Sequence, residues 1–260
     1  MKKIALVIAA VAAFAGSAVA ADLPAHTYSK TPTPMVAAPN WTGGYIFGGF
    51  GAGLWDANTS TYLTATGACL VCVNNKQGGD GWLATVGAGY DWQFNRWVAG
   101  ILADGQFGSM KGSQSALGFT YNQKLKDTWA VGARIGYLIA PNVLSYVNGG
   151  YTGADWSGAS IVNQTTGVTV GAHTNGFSTQ GWFLGGGVEN NLDIFGVTAP
   201  GWFMKTEYRG AYYSNKNSDW VTDATNVLAG TSSTFKPFVQ TISTSLVYRF
   251  NWSGPVVAKY

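Results

Sequence analysis

From Gly81 to Phe94 every second side chain is apolar or aromatic: Trp82, Ala84, Val86, Ala88, Tyr90, Trp92, Phe94. Between them stand Leu83, Thr85, Gly87, Gly89, Asp91 and Gln93, mostly small or polar. Successive side chains of a strand point to opposite faces, so this segment predicts a β-strand with one oily face and aromatics at its ends. The tight turn Asn95-Arg96 follows, and the pattern returns. Trp97, Ala99, Ile101, Ala103 and Phe107 oppose Gly100, Asp104 and Gln106. Trp129, Val131, Ala133, Ile135, Tyr137 and Ile139 oppose Thr128, Gly132, Arg134 and Gly136. Trp182, Leu184, Val188 and Leu192 oppose Glu189 and Asn191; Trp202, Met204, Tyr208 and Tyr212 oppose Lys205, Glu207 and Arg209. The last segment sets Ile242, Leu246, Tyr248 and Phe250 against Ser243, Ser245 and Arg249. Two more, Gly43 to Asp56 and Val143 to Trp156, make eight. The first is so rich in glycine that either face could be outward, and the other has no clear parity.

Connections alternate in length. Asn95-Arg96, Ala140 to Asn142 and Asp193 to Gly201 are short, whereas Asn58–Gly79, Gly112–Lys124, Ser157–Gln180 and Ser214–Pro237 are long, polar and expected to be loops. Short turns on one side and long loops on the other characterise outer-membrane barrels. Composition agrees. Charged residues are 10% of the chain, against roughly 25% in an ordinary soluble domain, while 47% are apolar. No internal run of about 18 apolar residues offers a membrane helix. The expected fold is an all-β, eight-stranded antiparallel transmembrane barrel, an up-and-down meander over residues 41–250. A backbone in lipid must satisfy its own polar groups, so the first strand must pair with the last. Eight strands leave a lumen that side chains nearly fill, which argues against a wide pore.

Export is written at the start. Met1-Lys2-Lys3, the apolar run Ile4 to Ala15 and Ala18-Val19-Ala20 form a cleavable signal peptide over residues 1–20. The formal charge of +3 falls to +1 without Lys2 and Lys3, and no basic stripe forms, so nucleic acid is not an expected partner. Residues 21–40, with Pro24, Pro32, Pro34 and Pro39, read as an extended periplasmic tether. Cys69 and Cys72 fit an oxidising compartment and are expected to form a disulfide at a loop tip; a redox C-x-x-C belongs at a helix N-terminus, and a metal site needs further ligands.

The inward parity collects Arg134, Glu189, Lys205, Glu207, Arg209 and Arg249, with Asp104 beside them. Unpaired buried charge is costly, so these should form a luminal ion-pair network that fills the barrel or gates a small conductance. Trp82, Trp92, Trp97, Trp129, Trp182 and Trp202 fall near strand ends, where an aromatic girdle sits at headgroup level. Catalysis has little support: only His26 and His173 are present, and a His173, Asp155, Ser178 triad has no motif behind its spacing. The Gly-rich runs precede no helix and are not phosphate loops. No enzyme activity, cofactor or metal is expected.

Certain segments carry a resemblance. Ala21-Asp22-Leu23-Pro24, the Pro-rich stretch and Asn40-Trp41-Thr42-Gly43-Gly44-Tyr45 resemble the opening of the small porin-like outer-membrane proteins of α-proteobacteria, the outer-membrane immunogenic proteins, which share a fold with OmpA and the opacity proteins. Lys205-Thr206-Glu207-Tyr208-Arg209 is similar to that family's seventh-strand K-x-E-Y-R segment. Leu246-Val247-Tyr248-Arg249-Phe250 resembles its closing strand, which implies that Tyr248 and Phe250 form the signal read by the barrel-assembly machinery. Family chains commonly stop at that aromatic; here a tail, 251–260, follows. The resemblance implies a structural, surface-exposed protein of the bacterial outer membrane with weak porin activity, in contact with outer-membrane lipids and lipopolysaccharide. Adhesion or host recognition through the long loops is the alternative. A soluble, secreted ligand-binding barrel would need a charged exterior that 10% charged residues cannot supply.

Overall fold

The computed structural model describes residues 40–71, 76–116, 118–197 and 199–250. The expected signal peptide, the tether up to Pro39 and the tail lie outside them. Eight long strands carry the alternating pattern: β1 (Gly43–Leu63), β3 (Lys76–Phe94), β4 (Trp97–Ala116), β5 (Phe119–Ala140), β6 (Val143–Trp156), β9 (Phe177–Asn191), β10 (Trp202–Tyr213) and β12 (Leu228–Arg249). Four short ones lie between them: β2 (Cys69–Val71), β7 (Ser160–Asn163), β8 (Thr169–Thr174) and β11 (Lys216–Thr222).

Each long strand pairs antiparallel with the long strand before it, and β1 pairs with β12 from Tyr45↔Arg249 to Leu63↔Thr231. That pairing turns the meander into an eight-stranded ring. Two-residue turns join strands at one end, and Asn95 there takes φ 57°, a left-handed conformation that asparagine tolerates. The β9–β10 connection opens with a 3-10 turn, Leu192–Phe195.

The two segments whose parity was undecided are now assigned. In β1 the odd residues Tyr45, Phe47 and Trp55 are buried and Ile46, Phe50 and Leu54 are exposed. In β6 Leu144, Tyr146 and Trp156 are buried while Val147 and Tyr151 face out. Both faces of these strands hold apolar residues because the lumen itself contains apolar layers.

The four long polar stretches are not free loops. β1 runs on to Leu63, Gly112–Lys124 is the paired end of β4 and β5, Ser157–Gln180 contains β7 and β8, and Ser214–Pro237 contains β11 and the start of β12. Where β6, β9 and β10 stop, the wall passes through β5–β7, β7–β8, β8–β11 and β11–β12. The wall thus rises as a second ring of eight strands beyond the apolar band. In water both faces of such strands can be polar, so a two-residue apolar period is not required of them, and Thr-rich segments still favour extended backbone.

Glycine in β1 serves the closing seam. A Cβ on Gly49 would stand 2.1 Å from the Thr244 carbonyl oxygen, and one on Gly51 2.1 Å from that of Ile242. Gly51→Val is therefore expected to cost about 1–3 kcal/mol or more through overpacking. The check is the urea midpoint of the heat-modifiable folded band on a gel; an unchanged midpoint would show that the seam does not need the close approach.

Candidate functional site

The lumen holds eight buried ionic side chains in two groups. Near the short-turn end, Arg134 donates through Nε to Asp91 Oδ1 at 2.9 Å and through Nη2 to Asp91 Oδ2 at 2.5 Å, and through Nη1 to Glu189 Oε2 at 3.1 Å. Arg249 donates to Glu189 Oε1 through Nε and to Asp91 Oδ2 through Nη2, both at 2.8 Å. Two guanidinium and two carboxylate groups make a neutral quartet. Farther out, Arg209 forks onto Asp104 at 2.9 and 2.8 Å and reaches Glu207 at 2.8 Å; Lys205 Nζ lies 3.7 Å from Glu207. That second quartet, Arg209, Lys205, Asp104 and Glu207, is also neutral, and the Tyr146 hydroxyl donates to Glu207 at 2.8 Å.

Aromatic rings face the cations. Arg134 and Arg249 lie 4.4 and 4.9 Å from the Tyr45 ring centroid, Arg249 is 4.4 Å from the Trp41 indole, and Lys205 is 3.3 Å from Phe47. Cation–π contact strengthens when water is excluded. The three segments that carry the family resemblance therefore meet inside the barrel: one supplies Trp41 and Tyr45, one Lys205, Glu207 and Arg209, and one Arg249.

All six anticipated luminal ions, with Asp104, take part. Asp91 was missed as a site residue, although its parity placed it inward. Charge counting contained the signal: Arg134, Lys205, Arg209 and Arg249 outnumber Asp104, Glu189 and Glu207 by one, and Asp91 is the inward carboxylate that restores neutrality. Gly100 leaves it room, since a Cβ there would stand 2.1 Å from Oδ1 of Asp91.

Apolar layers close the lumen on both sides of the ions. Trp41, Tyr45, Phe47, Val98, Leu144, Phe203 and Val247 form one cluster at the short-turn end. On the outer side the Trp55, Trp156 and Phe235 rings pack with centroids 4.9–5.8 Å apart, over Leu83, Met110 and Leu125. Above this plug the second ring encloses a cup lined by uncharged groups, among them Thr59, Gln77, Gln114 and Ser233. Tyr121 and Trp220 meet over it, 5.9 Å apart, and burial pushes the Tyr121 phenol above its ordinary pKa.

On the outside, the six anticipated tryptophans fall into two bands. Trp82, Trp129 and Trp182 lie toward the second ring; Trp129 meets Tyr151 at 5.7 Å and Trp182 meets Tyr212 at 4.7 Å. Trp92, Trp97 and Trp202 lie toward the short turns with Tyr90, Tyr137 and Tyr248 at 4.9–5.2 Å, and Phe250 packs edge-on to Tyr248. Between the bands Val86, Ile101, Val131, Ile135, Leu184 and Leu246 are exposed. Cys69 opens β2, while Cys72 lies outside the described residues. His173 does not join Asp155 and Ser178 in a triad: its Nδ1 is 2.5 Å from Asp223, and the Ser178 hydroxyl bonds Asp155 separately.

A closed β-ring with an oily exterior band and a filled interior defines an outer-membrane β-barrel. No protein-family model matches the chain. It is 28% identical over 254 residues to a 25 kDa outer-membrane immunogenic protein of Brucella canis, covering 96% of this chain and 99% of the relative. It is 30% identical over 217 residues to a 31 kDa outer-membrane immunogenic protein of Brucella melitensis, covering 78% and 84%. The chain belongs to the outer-membrane immunogenic protein family and is a surface-exposed outer-membrane protein. Among solved structures, OprG from Pseudomonas aeruginosa shares the fold with a TM-score of 0.51 at 10% identity, over 81% of this chain and 98% of that one.

Removing one carboxylate from the inner quartet leaves two guanidinium groups sharing a single anion. Asp91→Asn is expected to destabilise the barrel by about 3–5 kcal/mol, whereas the exposed Lys236→Gln should change it by less than about 0.5 kcal/mol. Reversible urea unfolding in lipid vesicles, followed by tryptophan fluorescence, measures both; equal midpoints would contradict the pairing.

Proposed function

We propose that the protein is a structural barrel whose lumen is sealed, and that it has no catalytic role. The observation that supports this is the stack of filling inside the wall: an apolar cluster, two neutral ion quartets and an aromatic plug follow one another along the lumen. An ion entering would have to displace charge-assisted hydrogen bonds that have no water to replace them, which is expensive in a low-dielectric interior. Tryptophans 82, 129 and 182 are read as the outer interfacial girdle and tryptophans 92, 97 and 202 as the inner one. Tyr248 and Phe250, on the outward face of the closing strand, are read as the assembly signal, and Cys69 with Cys72 as the staple of the β1–β3 tip.

In planar bilayers the purified protein should give no regular conductance steps. Trp55→Ala with Phe235→Ala should remain silent, because the two ion quartets and the inner apolar cluster still block the path. Discrete steps from the unaltered protein would refute the sealed-lumen reading and favour a porin.

A second reading, surface recognition, is favoured by the hairpin tips. Val168, Val170, Val227 and Leu228 are exposed at the ends of β7–β8 and β11–β12, far from the lipid band. Deleting Ser157–Gln180 whole would remove β7 and β8 from the wall, so the tips themselves are the place to test. Serine at all four positions should lower adhesion of cells displaying the protein to a host-cell monolayer without altering its heat-modifiable migration. Unchanged adhesion would remove this reading.

A further inference from the structure

Seven lysines lie among the described residues, and Lys205 alone is luminal; Lys76, Lys111, Lys124, Lys126, Lys216 and Lys236 are outside, all beyond the outer aromatic band. Two of them are placed against elementary electrostatics. Lys111 of β4 and Lys124 of β5 are register partners and both point away from the lumen, since their neighbours Met110, Gln123 and Leu125 are buried inside. Like charges directly opposite on one face of a sheet repel. On its other flank Lys111 is opposite the exposed Asp80 of β3, whereas Lys124 borders the break between β6 and β7. Among the described residues neither lysine forms an ion pair.

The pair borders a groove on the outer wall. β6 stops at Trp156 and β7 resumes at Ser160, and across that break Ser157 turns back onto β5: its amide donates to the Lys124 carbonyl at 2.8 Å, and the Lys124 amide donates to the Ser157 hydroxyl at 2.9 Å. The resulting concavity is lined by Lys111, Lys124, Ser113, Asn122, Ser157 and Ser160. Ser113 and Asn122 are themselves opposite one another, one step farther out. Two ammonium groups thus sit beside hydroxyl and amide groups; the neighbouring carboxylate, Asp80, flanks Lys111 on the β3 side and does not line the groove.

Height decides the source of the matching anion. Lys111 is four residues beyond Phe107, and Lys124 five beyond Trp129 with a bulge between. At about 3.4 Å per residue along tilted strands, both stand roughly 10 Å outside the aromatic band. The girdle itself lies at headgroup level, so the groove stands just outside it, Lys111 facing Asp80 only two residues from Trp82, and a flexible lysine stem reaches back to the headgroup phosphates. The groove is continuous with the lipid-facing wall. We infer that it binds the phosphorylated sugar headgroup of an outer-leaflet glycolipid, the phosphate bridging Lys111 and Lys124 and the sugar hydroxyls meeting Ser113, Asn122, Ser157 and Ser160. The inference rests on the outer-membrane assignment and is independent of whether the lumen conducts.

The test uses the refolded protein in detergent with bisphosphorylated lipid A, or the same lipid stripped of both phosphates, and native mass spectrometry to read the lipid-bound fraction. The intact protein should retain the phosphorylated lipid and not the stripped one. Lys111→Gln with Lys124→Gln should lower retention about tenfold or more, Lys111→Arg with Lys124→Arg should keep it, and Lys216→Gln with Lys236→Gln, away from the groove, should leave it unchanged. Heat-modifiable migration verifies folding. Should the glutamine pair fail to fold, retention by the intact protein must still fall as salt rises. Equal retention by the glutamine pair, equal binding of stripped lipid, salt-independent retention, or full competition by inorganic phosphate at matching concentration would each overturn the proposal.

Discussion

A backbone amide facing hydrocarbon has no water to bond, and each one left unpaired costs several kcal/mol. The β1–β12 pairing removes the two edges that the meander would otherwise present to lipid. Closure then fixes the lumen's radius, the number of inward side chains and the distance across which opposite walls can touch. Glycine at positions 49 and 51 follows from the same requirement, because the seam closes with β12 backbone where a side chain would stand.

Once closed, an eight-stranded wall leaves too little space for a hydrated channel, and the inward residues must satisfy one another. The chain does so by compensation. Each buried cation has a carboxylate within 4 Å, each quartet sums to zero, and aromatic faces take up the remaining sides of the cations. Most of the strands that supply these groups come from distant parts of the chain, so the pairs Arg134–Asp91, Arg134–Glu189, Arg209–Asp104, Arg249–Asp91 and Arg249–Glu189 are also ties across the barrel, while Glu207 pairs with Lys205 and Arg209 within β10. Arg209, for instance, joins β10 to β4 through Asp104. This coupling makes the lumen a structural element in its own right.

The membrane-embedded part of the fold was legible because lipid enforces a two-residue period: the rows from Trp82 to Phe94 and from Trp129 to Ile139 could be read directly. The extracellular ring was not, since Thr59, Thr61, Ser113 and Asn122 pair as strands in water without an oily face. Apolar inward residues such as Leu144, Phe183, Phe203 and Val247 blurred the parity that separates wall from lumen. The luminal ions were legible individually from their parity, but their partition into quartets depends on which strands face each other, and that is a property of closure. Asp91 stood in the row already read as inward and went unrecognised as a site residue only because charge balance was not imposed on that row.

The paired lumen can be tested through its arginines. The chain has four: Arg134, Arg209 and Arg249 inside, and Arg96 in an exposed turn. In protein labelled with ¹⁵N-arginine and reconstituted in lipid, proton exchange of each Nε–H with water can be followed by NMR. The account predicts one rapidly exchanging signal from Arg96 and three protected ones, those of Arg134 and Arg249 shifted by their carboxylate partners. Four guanidinium signals exchanging at the same fast rate would mean a water-filled lumen and would contradict it.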